Sequence, residues 1–185
     1  MVKLGILSDT HVPDRKSGLP ASLCASFQAA GVTAILHAGD VCVPAVLEQL
    51  GQVAPVYAVR GNRDIYALRH LPSSLALEFA GVKIGLIHGH GGFLDYLQDK
   101  VDWVRHGIRE ERFRQRVLRS FPEARLVIFG HLHRRINEWV GEQFLFNPGS
   151  ACCPDWVRGG PPSAGLISLE AGEIVQVEFL DLGQS

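Results

Sequence analysis

The chain has 185 residues, 46% of them hydrophobic and 20% charged, with a formal net charge of −1. That length and composition suit one soluble globular domain able to bury a substantial core, and the near-neutral charge excludes the strongly basic footprint of a dedicated nucleic-acid binder, though not a nucleotide substrate. No apolar run approaches the length of a membrane span, and strand signals beginning at Val2 leave no room for a secretory leader, so a cytoplasmic location is expected.

In chain order, the run Leu4-Gly5-Ile6-Leu7 reads as a strand and Ser22 to Ala30 as a helix ending at Gly31. Strand Ala34 to Leu36 follows, then a helix from Pro44 to Leu50 with proline in its first turn and Gly51 at its end. Val53 to Val59 reads as a strand, and Ile65 to His70 as a short helix stopped before Pro72. Ala80-Gly81 between Leu75–Phe79 and Val82–Ile87 signals a hairpin. From Leu94 to Phe121 the apolar positions Leu97, Val101, Val104, Ile108, Phe113 and Val117 roughly follow helical spacing, among Arg105, Arg109, Arg112, Arg114, Arg116 and Arg119. Leu126 to Phe129 is a strand. Two further hairpins turn at Gly141-Glu142 and Ala171-Gly172, separated by a Pro- and Gly-rich loop from Ala151 to Ser163. No repeat or linker divides the chain, so residues 1–185 read as one domain with an Arg-rich helical segment at about 94–121. An alternating β/α first half and a mostly β second half predict two sheets covered by helices.

Behind five of these strand runs stands a short, Gly-flanked polar island: Asp9-Thr10-His11, Gly39-Asp40, Gly61-Asn62-Arg63-Asp64, His88-Gly89-His90 and Gly130-His131-Leu132-His133. The islands therefore gather along one sheet edge. Carboxylates, an amide oxygen and imidazoles are hard to borderline ligands, suited to Mn, Fe, Zn or Co, and no thiolate stands among them. Residues two apart on an extended strand face the same way, which would aim Asp9 with His11, and His131 with His133, at one place. Asp9, His11, Asp40, Asn62, His88, His131 and His133 exceed the needs of one four-coordinate ion, so two ions fit better. Asp40, with two carboxylate oxygens, is the natural bridge. Taken singly, Gly-Asp and Gly-Asn pairs are ordinary turns. His37, His70 and His106 read as ordinary core or surface imidazoles, and Asp64 as an orienting or capping residue.

The series D-x-H, GD, GN-x-D, HG and GH-x-H, in this order from Ile6 onward, resembles the calcineurin-like metallophosphoesterase superfamily, and within it the small single-domain prokaryotic phosphodiesterases. Asn147-Pro148-Gly149-Ser150 resembles a turn of that subfamily. The resemblance implies an α/β fold, a four-layer α/β/β/α sandwich of two mixed sheets with metals at the strand ends. It further implies one metal on Asp9, His11 and His133, a second on Asn62, His88 and His131, and Asp40 bridging both. Two divalent ions roughly 3.5–4 Å apart can share a hydroxide and clamp both oxygens of an in-line phosphoryl displacement. The expected cofactors are two such ions, manganese first, with Fe, Zn, Ni, Co or Mg as alternatives. The expected activity is hydrolysis of a small phosphoester or nucleotide-like substrate, a diester by preference.

Asp40, Asn62, Arg63 and His90 are the expected catalytic residues. Many superfamily members carry histidine where this chain has Arg63, and there it can protonate the leaving group. A guanidinium stays protonated and cannot be a general acid, but its planar fork suits phosphate. His90 is the candidate for the missing acid. Phosphomonoesterase action is the nearest alternative, and a catalytically weak metal-binding scaffold, like the coat subunit that shares this fold, is another. The His cluster of a metallo-β-lactamase, the G-x-S-x-G elbow and the P-loop are all missing. Phe93, Tyr96 and Trp103 offer a stacking surface for a base, and the arginines a phosphate-steering rim; Trp156 and Arg158 suit a cleft cover or an oligomer contact. Cys24, Cys42, Cys152 and Cys153 lack metal-site spacing and read as reduced thiols. Neither membrane nor nucleic acid is an expected partner, and homo-oligomerisation is left open.

Overall fold

The run Val2–Leu7 forms strand β1, where Leu4, Ile6 and Leu7 are completely buried because both faces of the strand are covered. The structure is a computed structural model that describes residues 1–92, 110–153 and 160–183. Helix α1 (Ala21–Ala30) turns Leu23 and Phe27, one helical turn apart, into the core. It ends at Gly31, whose left-handed φ of 64° lets Val32 donate back to the Phe27 carbonyl. Strand β2 (Ala34–His37) and helix α2 (Pro44–Gly51) follow, with Pro44 in the first turn and Val46 and Leu50 buried. The helix ends at Gly51.

Two expected elements are corrected next. Val53 to Val59 narrows to strand β3 (Val56–Ala58), because Val53 and Ala54 donate to Leu50 and so finish the helix instead. Ile65 to His70 is a string of turns, with Arg69 bonded to Tyr66 and Leu71 to Leu68. Leu68 is buried, but Ile65 is 58% and Tyr66 82% exposed, so no apolar stripe exists to hold a helix down.

Strands β4 (Ser74–Phe79) and β5 (Val82–Ile87) form the hairpin expected at Ala80-Gly81. Of the Arg-rich segment, Glu110–Ser120 is helix α3, with Phe113 and Val117 buried. Its earlier part lies outside the described residues, together with Phe93, Tyr96, Trp103, Arg105, Arg109, Trp156 and Arg158. Strand β6 (Leu126–Phe129) precedes hairpins β7 (Arg135–Val140) with β8 (Gln143–Pro148), and β9 (Ser163–Glu170) with β10 (Glu173–Asp181).

Both sheets are mixed. One runs β10-β9-β1-β2-β3, with β1, β2 and β3 parallel; the other runs β4-β5-β6-β8-β7, with β5, β6 and β8 parallel. Three apolar seams hold four layers together. Leu23, Phe27, Val46 and Leu50 pack with Leu7 and Ile35, helices against the first sheet. Leu4, Ile6 and Leu36 meet Ile84, Leu86, Ile128 and Phe146, sheet against sheet. Val117 meets Val127, Phe129 and Leu145, the second sheet against α3. The layer order is α/β/β/α, and the parallel strands of both sheets deliver their carboxyl ends to one edge, where such folds bind ligands.

Candidate metal centre

Each island begins where its strand stops. β1 ends at Leu7 and β6 at Phe129, so Asp9, His11, His131 and His133 lie in loops. The strand-parity argument for pairing them is thereby corrected. Asp9 (φ 53°), His11 (49°), Asp40 (56°), His131 (70°) and His133 (53°) all adopt left-handed backbone. Non-glycine residues enter that region at a cost of order 1 kcal/mol or more each, and such residues cluster at functional sites.

The loops are tied together by backbone bonds. Asp9 donates to Gly39 and His11 to the Asp40 carbonyl. Ser150 Oγ donates to the Asp9 carbonyl at 2.7 Å, Ser8 Oγ to Gly149, and Asn147 Nδ2 to Gly130. The Asn147–Ser150 turn is thus a clasp on the loops after β1 and β6. Asp64 is a second clasp: its carboxylate accepts from the backbone N–H groups of Asp40, Val41, Cys42 and Gly61 at 2.7–3.3 Å. Expected as an orienting residue, it locks two islands in register.

Within this frame the acidic and imidazole groups converge in two sets, Asp9 with His11 and His133, and Asp9 with Asp40 and His88. His11 Nε2 and His133 Nε2 are 3.0 Å apart, and His133 Nε2 is 3.2 Å from Asp9 Oδ1. Asp40 aims one oxygen each way: Oδ2 lies 3.8 Å from His11 Nε2 and Oδ1 3.5 Å from His88 Nε2. Asn62 Oδ1 is 3.2 Å from His88 Nε2, and the His131 ring lies 5.1 Å from that of His88. His88 Nδ1 donates to the Ala38 carbonyl at 2.7 Å, which turns Nε2 toward the carboxylates.

The electrostatics ask for a cation. Burial works against ionisation of Asp9, yet His133, His88 and His11 hold its carboxyl well below the usual range. Its Oδ1 is buried without a hydrogen-bond donor, although it faces three imidazoles. Burial pushes the Asp40 carboxyl up, with Asp9 adding repulsion against the pull of His88. His88 is drawn upward by Asp40 and Asp9 in spite of its own burial. Burial lowers His11 to about 4 and His131 to about 3, with opposing pull from Asp9 in both, so both offer neutral lone pairs at pH 7. Buried carboxylates, neutral imidazoles and an orphaned oxygen are the surroundings that a divalent metal fits.

The remaining expected residues flank this cluster. Arg63 gives its backbone N–H to Asp40 Oδ1 at 2.8 Å, while its guanidinium reaches outward to Asp14 at 3.1 Å. The His90 ring lies 5.3 Å from that of His88, tilted against it by 55°, with its imidazole lowered to about 4 by burial and then by His88, Arg60 and Arg116. That depression weighs against a general acid. Cys42 lies outside both ligand sets, and its thiol is pushed up to about 12 by burial and by Asp14, Asp64 and Asp40. His37, read from sequence as an ordinary imidazole, is fully buried, accepts from Gly39 N–H at 3.2 Å and meets Thr10 Oγ1 at 3.3 Å. It supports the loops without joining the cluster.

A two-sheet α/β sandwich with this donor set at its strand ends defines the metallophosphoesterase class. The chain belongs to the calcineurin-like phosphoesterase superfamily, whose domain it matches over residues 2–172. It is 32% identical to a probable metallophosphoesterase of Methanothermobacter thermautotrophicus, covering 97% of this chain and 92% of that one. It is 24% identical to a phosphodiesterase of Methanocaldococcus jannaschii, covering 95% and 98%. Among solved structures, Entamoeba histolytica Vps29 complexed with zinc shares the fold, with a TM-score of 0.73 over 98% of this chain and all of that one at 23% identity. Among the described residues, no helix is long and apolar enough to cross a membrane.

Proposed function

We propose that this chain is a dinuclear metal-dependent phosphodiesterase acting on a small phosphoester or nucleotide-like substrate, and that residues 1–185 work as one domain. In this reading Asp9, His11 and His133 hold one ion, Asn62, His88 and His131 the other, and Asp40 bridges them. The observation that carries it is the placement of Asp40, one oxygen toward His11 and the other toward His88, in a pocket of carboxylate and imidazole with no thiolate. That donor set suits manganese first. Divalent ions bound there supply Lewis acidity to a phosphoryl group and lower the pKa of water.

The protein's own groups divide the remaining work. Asp64 and the Asn147–Ser150 turn hold the ligands in place before substrate arrives, which spares reorganisation during reaction. Arg63, at the mouth and always protonated, contacts a phosphate oxygen after exchanging its Asp14 partner. His90, neutral at pH 7, positions the ester rather than protonating it. With no dedicated acid, the preferred substrates carry acidic leaving groups. The phosphodiesterase name of the Methanocaldococcus relative favours diesters over monoesters.

The test compares an aryl phosphodiester with the matching monoester, using metal-stripped protein resupplied with Mn²⁺. Faster diester turnover is expected. Faster monoester turnover would reassign the subclass, and no turnover by protein carrying two ions would favour a metal-binding scaffold, the reading that Arg63 in the acid's position keeps open.

A further inference from the structure

The Arg-rich segment ends in α3, and this helix reaches the candidate centre on one side. Arg116 donates from Nη1 to the Gly89 carbonyl at 3.0 Å, and Gly89 is the link between His88 and His90. Gly89 has a φ of 99°, and a Cβ there would lie 3.3 Å from Val117 Cγ1, so the loop rests directly on the helix. The Arg116 guanidinium lies over the Phe113 ring, 5.2 Å from its centroid, and the Phe113 ring lies 5.5 Å from that of His131. Val117, fully buried, packs with Phe129 at the end of the strand that leads to His131. Arg114 pins the same helix to the second sheet through Glu138 on β7, 2.6 Å away.

The opposite half of the cluster is joined to this side by His131 N–H, which donates to Asp9 Oδ2 at 3.0 Å, but it has further support of its own. Asp9 and His11 are bonded to the Gly39–Asp40 backbone, and Ser150 holds the Asp9 carbonyl.

We propose that α3 is the positioning element for one half of the centre. Arg116 sets the His88 loop and Phe113 sets the His131 ring, while the Asp9 and His11 side has further support of its own from Gly39–Asp40 and Ser150. The proposal rests on the two-ion reading. A ligand imidazole contributes fully only when its support holds it in the binding orientation, and removing such support costs about 10–100-fold in metal affinity. Loosening α3 therefore weakens the ion on His88 and His131 more than the other.

Calorimetric titration of metal-stripped protein with Mn²⁺, joined to electron paramagnetic resonance of the loaded protein, tests this. Wild type is expected to show two binding steps and the exchange-coupled spectrum of a manganese pair. Arg116→Ala is expected to weaken one step about 10–100-fold and the other by much less, so that the coupled spectrum gives way to that of an isolated ion. Arg116→Lys keeps a donor for the Gly89 carbonyl and is expected to restore the second step, which a general folding defect would not allow. Phe113→Leu keeps an apolar side chain for the core but removes the ring beside His131, and is expected to act like Arg116→Ala. Unchanged steps in Arg116→Ala, or two steps weakened equally, would overturn this inference alone. Fewer than two ions on wild type would overturn the two-ion reading and the inference with it.

Discussion

A methyl group on Gly61 would lie 2.1 Å from Oδ1 of Asp40. The loop after β3 is laid against this carboxylate so closely that only hydrogen fits, and Arg63 N–H, two residues on, bonds the same oxygen at 2.8 Å. Gly61→Ala must move one loop or the other. It is expected to lower stability by about 1–3 kcal/mol, the usual cost of overpacking, and to weaken metal binding at Asp40. Urea unfolding and metal titration check this; a variant with wild-type values in both would show that the loop gives way freely.

Asp64 is buried and accepts four backbone N–H groups from two islands. Asp64→Ala leaves those donors without their charged acceptor. Hydrogen bonds to charged groups contribute roughly 1.5–3 kcal/mol each, so a loss of at least about 3 kcal/mol is expected. A loss of under about 1 kcal/mol in denaturant unfolding would mean that water replaces the carboxylate, as it does for exposed groups.

Stability of the metal-free protein is expected to fall as pH drops from about 6.5 to about 4. Burial lowers the His37 imidazole to about 4, against the pull of Asp64 and Asp9, while the unfolded chain keeps the ordinary imidazole value of 6.5. In that window the unfolded chain binds more protons than the folded one, so protonation favours unfolding, and the slope ends below about 4, where both states are charged. His11, His90 and His131 add the same sign. His88, raised instead by Asp40 and Asp9 against its burial, is protonated in both states through most of the window and adds little slope there. Unfolding midpoints measured across the window, with His37→Gln showing a shallower slope, check the assignment; flat midpoints would contradict it.

Arg63→Ala is expected to reduce kcat/KM for an activated aryl phosphodiester about tenfold, the worth of one charge-assisted hydrogen bond. Unchanged kcat and KM would remove Arg63 from substrate binding and leave it as a surface partner of Asp14. Arg63→His supplies an ionisable imidazole, and is expected to narrow the gap between acidic and poor leaving groups.

The islands were legible because each combines a buried strand run with a turn chemistry that ends it, and parallel strands must deliver their ends to one edge. Asp9, Asp40 and His88 could be gathered by that rule alone. The way Asp9 and His11 meet was not legible: strand parity assumes an extended chain, whereas both residues turn left-handed, a state that an Asp or His does not announce as a glycine would. His37 was rightly read as an ordinary core imidazole, but its support of the loops was not legible. Its distance from Asp40 along the strand said nothing about its bonds to Gly39 and Thr10. The helix expected at Ile65 to His70 failed because Pro72 and spacing give a stop signal but no burial, and the exposed Tyr66 has nothing to pack against. Asp64 was readable as an orienting residue from its turn, but three of its four partners lie more than twenty positions earlier, where no local pattern points to them.

The most direct measurement is hydrolysis of an aryl phosphodiester by metal-stripped protein with Mn²⁺ added back, beside an Asp40→Asn variant. Turnover that appears only with the metal and is abolished by Asp40→Asn is the expected result. Turnover that persists in Asp40→Asn, or that needs no metal, would contradict a metal-dependent centre built around this carboxylate.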